Sequence, residues 1–75
     1  MTDHEIMEAL RKENEEFKKL SDEHKDLERL LTEIDRKVYL NADEEMERKR
    51  IQKLKLLKKD KMAEFVRDFK KSHTN

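Results

Sequence analysis

The residues best able to do chemistry in this chain are His4, His24 and His73, the serines Ser21 and Ser72, and a dense set of carboxylates and cations. Ser21 stands three residues before His24, so one helix would carry both on neighbouring turns. A Ser–His nucleophile also needs an orienting third group and a pocket, and one solvated helix supplies neither. Metal binding needs converging ligands. The three histidines lie far apart on any helical arrangement, and there is no cysteine. The acidic runs "ENEE" and "DEEMER" lack the glycine and alternating ligands of a calcium loop and read as solvated helix ends. With no glycine, no loop can cradle a phosphate. The expectation is a protein that is not an enzyme and takes no metal or cofactor.

The basic run "RKRIQKLKLLKK" is the strongest chemical lead. Arg48, Lys49, Arg50, Lys53, Lys55 and Lys59 on one helix match a phosphate backbone. A membrane surface is a weaker fit. Aromatic stacking groups are missing from the run, and Phe65 and Phe69 beyond it read as core. Protein–protein interaction therefore ranks first, nucleic-acid binding second and membrane binding last.

The elements that must carry these residues follow from composition. Of 75 residues, 51% are charged and 33% hydrophobic, with no Gly, Pro, Cys or Trp. That is the profile of long helices and coiled coils in a single domain. The start "MTDHEIMEAL" is not a signal peptide, and no apolar run spans a membrane, so the expected location is cytoplasmic. Net charge is zero, but residues 1–45 hold fifteen acids against eight bases, a net of −7, and residues 46–75 hold four against eleven, a net of +7. Opposed halves favour an antiparallel hairpin.

Thr2 and Glu5 form a capping-box signature. From there Ile6, Leu10, Phe17, Leu20, Leu27, Leu31, Ile34 and Val38 follow a heptad seam, interrupted by Glu13 and His24. The spacing predicts one helix over about residues 3–39, roughly 55 Å long at ~1.5 Å per residue. A turn is expected near 40–43. There Asn41 can close the first helix in a left-handed conformation, and Asp43, or Asn41 with Glu44, can cap the next. A second helix then covers about 44–71. Its core stripe is Ile51, Leu54, Met62, Phe65, Val66 and Phe69, with the stems of Lys55 and Lys58 completing a looser stretch. Met7, Leu30, Leu56 and Leu57 lie off the principal seams and are surplus apolar surface. The expected architecture is an all-α antiparallel two-helix hairpin, paired by a second copy into a four-helix bundle. A single core of this size rarely supplies more than ~3–5 kcal/mol. His24 reads as a structural polar residue of the seam, with a register-setting role as the alternative.

The segment "LRKENEEFKKLSDEHKDLERLL", with "YLNADEEMERKRIQKLKLLKKDKM" after it, resembles the YdcH-like proteins, a family of small bacterial helical proteins. Leu10, Glu13, Asn14, Phe17, Leu20, His24, Leu27 and Leu31 carry the first part of the pattern. Tyr39, Leu40, Glu44, Glu45, Ile51, Lys53, Lys55, Leu56, Lys59, Asp60 and Met62 carry the second. Where the family has prolines, this chain has Glu15 and Ala42, and a leucine of the last motif is Lys58. Losing the first proline predicts an unbroken first helix. The resemblance implies a helical hairpin and no established activity.

Overall fold

In the computed structural model, which describes residues 2–73, the chain is all-α, with three helices: α1 (Asp3–Glu13), α2 (Glu15–Asp35) and α3 (Ala42–His73). The capping box at the start of α1 is present: Thr2 Oγ1 accepts from the Glu5 N–H at 3.2 Å, and Glu5 Oε1 accepts from the Thr2 N–H at 3.0 Å.

The expected single helix over 3–39 is instead two helices, broken at Asn14 and ended at Asp35. Asn14 has extended backbone, φ −126° and ψ 111°, and serves both helices. Its N–H closes α1 on the Leu10 carbonyl at 2.8 Å, and its Oδ1 caps α2 by accepting from the Phe17 N–H at 3.0 Å. A proline is therefore not needed to break this helix. Asparagine bonds its own neighbouring backbone well enough to replace the lost helical bonds. The break folds α1 back onto α2. In a continuous helix Arg11 and Asp22 would be roughly 16 Å apart along the axis. Here the Arg11 guanidinium lies 2.8 Å from Asp22 and 3.2 Å from Ser21 Oγ.

The second departure is the connection. Residues 36–41 join α2 to α3, longer than the expected turn at 40–43, and the second helix begins at Ala42 rather than 44. Asn41 does not adopt a left-handed conformation, and no described non-glycine residue has positive φ. It caps α3 instead: its Oδ1 accepts from the Glu44 N–H at 2.8 Å, and Glu44 Oε1 accepts from the Asn41 N–H at 3.2 Å. Lys37 reaches across the connection to Glu44. Making this cap draws Val38 and Tyr39 out of the helix, and both are exposed.

α2 and α3 run antiparallel. Asp35 meets Arg48 at 2.8 Å, Glu28 meets Lys55 at 3.7 Å and Glu23 meets Lys58 at 3.3 Å, and the Phe17 and Phe65 rings meet edge to face at 5.8 Å. The acidic and basic halves of the chain do face each other. The main core lies away from the connection, where α1 covers the end of the α2–α3 pair. Ile6, Leu10, Phe17, Leu20 and Met62 are buried there, with Met7, Phe65, Val66 and Phe69 packed against them. Leu31 and Ile51 are buried nearer the connection.

The seam of α3 runs through Ile51, Lys55, Lys58, Met62, Phe65 and Phe69, in steps of four, three, four, three and four. Leu54 was expected in this stripe, but it is exposed. The lysines take the seam because α2 offers carboxylates opposite them, and their stems cover apolar surface on the way.

Candidate functional site

Two surfaces collect the chemistry-bearing and surplus apolar residues, one on each side of the α2–α3 pair. On the side that α1 covers, a groove of about 690 Å³ is lined by Met7, Ser21, His24, Met62 and Val66, among others. It brings Ser21 and His24 to one place. Neither is set up to react. Ser21 is buried and accepts from Arg11. His24 Nε2 is buried without a hydrogen-bond partner, and Nδ1 stands 3.9 Å from Glu28 Oε1, beyond hydrogen-bond range. His4 pairs with Glu8 on the surface of α1 and does not line this groove, and the side chain of His73 lies outside the described residues. Among the described residues no cluster of three or more His, Cys, Asp or Glu could hold a metal ion.

The opposite side is apolar and open. At ~100° per residue Leu27, Leu30 and Ile34 fall on the flank of α2 turned away from α1. Leu54 and Leu57 fall on the matching flank of α3. The register set by the Glu28–Lys55 and Glu23–Lys58 pairs brings the two sets to the same height. Leu30 and Leu54 are each 41% exposed and Leu57 is 58% exposed, while Leu27 and Ile34 are half-buried beside them. Leu56, 51% exposed, points to a different side of α3. Met7, expected as surplus surface, is packed into the main core. The other packing candidates divide as follows: Leu10, Phe17, Leu20, Leu31, Ile51 and Met62 are buried, and Phe65 and Phe69 are half-buried.

The basic run is divided by the fold. Arg48 and Lys55 are paired with Asp35 and Glu28 of α2, and Arg50 lies 3.8 Å from Glu47. Lys49, Lys53 and Lys59 are exposed. At ~100° per residue Lys49 and Lys53 fall about 40° apart on one face of α3, and Lys59 falls about 80° from the first and 120° from the second. The Arg48 guanidinium holds the Asp35 carboxyl below the usual carboxylate range, and Asp35 in turn raises Arg48. Lys37 does the same to Glu44, helped by the Asn41 N–H.

Asn14 is the residue that matters most to this arrangement and that periodicity does not reveal. Its signal was present as an N-cap type followed by "EEF". No described helix is long and apolar enough to cross a membrane. The chain matches no protein-family model, no curated protein and no solved structure.

Proposed function

We propose that this chain is a non-catalytic interaction module that associates through the apolar face of α2 and α3, first of all with a second copy of itself. The observation that carries the reading is the exposed cluster of Leu30, Leu54 and Leu57 around Leu27 and Ile34. Contiguous exposed apolar surface on a small protein marks a contact site. Leucines sit on this outer face while lysines occupy the α2–α3 seam, which is wasteful for an isolated monomer. Two α2–α3 pairs stacked on these faces make a four-helix bundle with α1 of each copy outside it. Two-fold dimers are the commonest closed assembly. The YdcH-like resemblance, which implies a helical hairpin and no established activity, is compatible with this reading.

Sedimentation equilibrium tests this. The expected result is a dimer of the 9.2 kDa chain. Leu57→Glu should shift it to monomer with helix content retained, and Leu56→Glu should leave the dimer intact. A cooperatively folded wild-type monomer across micromolar concentrations would overturn the proposal. Dissociation by Leu56→Glu and not Leu57→Glu would move the interface to the other side of α3.

A further inference from the structure

We propose that the groove on the α1 side of the molecule binds a free fatty acid, with the alkyl chain on its methionine floor and the carboxylate between Lys25 and Lys59. The groove lies on the side of the α2–α3 pair opposite the leucine face, so the site does not depend on self-association.

The floor suits a flexible alkyl chain. Met62 is buried, Met7 and Val66 are half-buried, and Ala63 is small and exposed. Methionine is unbranched and polarizable, so it adapts to an aliphatic ligand of no fixed shape. The dimensions exclude a helix as occupant. Lys55 and Lys70, at the two ends of the lining, stand roughly 22 Å apart along α3. A volume of about 690 Å³ over that length leaves a passage roughly 6 Å across, whereas a helix is ~10–12 Å across.

The rim suits one anionic head. Five cations and two acids line the groove. Both acids are taken: Glu28 lies 3.7 Å from Lys55, and Asp3 lies 2.7 Å from Lys70. Lys25, Lys59 and Arg67 have no ion-pair partner among the described residues. The register set by Glu28–Lys55 and Glu23–Lys58 brings Lys25 and Lys59 to within about one turn of each other in height, on the α2 and α3 walls. A carboxylate there gains two charge-assisted contacts. Its chain then runs away from the connection, over Met62 and Val66. Arg67 stands alone, roughly 12 Å further along α3.

Titration calorimetry with dodecanoate, kept below its micellar concentration, tests the site, with dodecanol as the uncharged control. One dodecanoate should bind per chain. Lys25→Gln with Lys59→Gln should weaken it about tenfold or more and leave dodecanol binding unchanged. Arg67→Gln should keep the wild-type affinity. Ala63→Trp fills the groove from an exposed position and should block both ligands, whereas Leu57→Glu on the other face should block neither. No saturable dodecanoate binding by the wild type would overturn the proposal. Full affinity in the lysine variant, or a loss in Arg67→Gln instead, would do the same. If Ala63→Trp does not fold, amide NMR shifts of the wild type decide. Movement at Met7, Ala63 and Val66 supports the groove, and movement confined to Leu30, Leu54 and Leu57 overturns it. Cosedimentation with anionic phospholipid vesicles, without binding of free dodecanoate, would assign the cations to a lipid surface and overturn the fatty-acid site.

Discussion

His24 holds its imidazole between α2 and α3 with a buried Nε2 that bonds to nothing and an Nδ1 too far from Glu28 for a hydrogen bond. A buried unsatisfied nitrogen costs ~1–3 kcal/mol relative to a bonded one. His24→Leu should therefore raise the melting temperature, with a gain on the order of 1 kcal/mol read by urea denaturation. A loss of stability would show that the histidine bonds a group it does not touch here. Asn14 is the opposite case: its N–H bonds the Leu10 carbonyl, its carbonyl accepts from the Lys18 N–H, and its Oδ1 accepts from the Phe17 N–H. Asn14→Ala removes the cap on Phe17 and should cost ~1 kcal/mol. It should also favour fusion of α1 with α2. A spin-label distance between positions 3 and 70 would then lengthen, since Asp3 Oδ1 and Lys70 Nζ are 2.7 Å apart in the folded chain. An unchanged distance would mean that core packing of Ile6 and Leu10 alone holds α1 in place.

At the scale of elements, α2 and α3 are joined by carboxylate–cation pairs as well as by apolar contact. Lys55 and Lys58 occupy seam positions and reach Glu28 and Glu23. Reversing both lysines to Glu should destabilise the fold more in low salt than in 1 M salt, because screening weakens such pairs. Lys59→Glu, at an exposed site outside these pairs, should change stability little. Equal effects of the double reversal at both ionic strengths would make the seam contacts steric rather than electrostatic. The connection between the helices has a pH signature. Asp35 and Glu44 are held below the usual carboxylate range by Arg48 and Lys37. A depressed carboxylate stabilises the fold above its unfolded pKa and loses that contribution as pH falls through its folded one. Stability should thus be steady near neutrality and decline as pH drops below ~4. The Asp35→Asn variant should show a shallower acid decline.

For the whole molecule, the proposed self-association predicts that folding and association are linked. A dimer that binds only the folded chain raises the melting temperature with protein concentration. The expected result for the wild type is a clear upward shift over a hundred-fold concentration range, absent in Leu57→Glu. Nucleic-acid binding makes a contrasting demand, since it requires the cations that remain outside the α2–α3 pairs to act together. Lys49→Glu with Lys53→Glu should abolish salt-sensitive copurification of nucleic acid if that is the basic helix's role. Under the interaction reading neither change should abolish association, since the contact is made by Leu30, Leu54 and Leu57.

Composition and the heptad spacing were enough to set the all-helical class, the two regions of opposite charge and most of the buried residues. Phe17, Leu20, Leu31, Ile51 and Met62 are buried where periodicity places them, because a helix face is a local property. Thr2 with Glu5 and Asn41 with Glu44 were legible for the same reason, since each box closes within four residues. The break at Asn14 was decided by tertiary contacts. A helix through residue 14 is locally acceptable, and only the burial of Ile6 and Leu10 against Met62 and Phe65 makes folding back worth the lost helical bonds. The choice of Lys55 and Lys58 over Leu54 for the seam was likewise not local. It depended on which residues of α2 stand opposite, and those are fixed only once the two helices have their register.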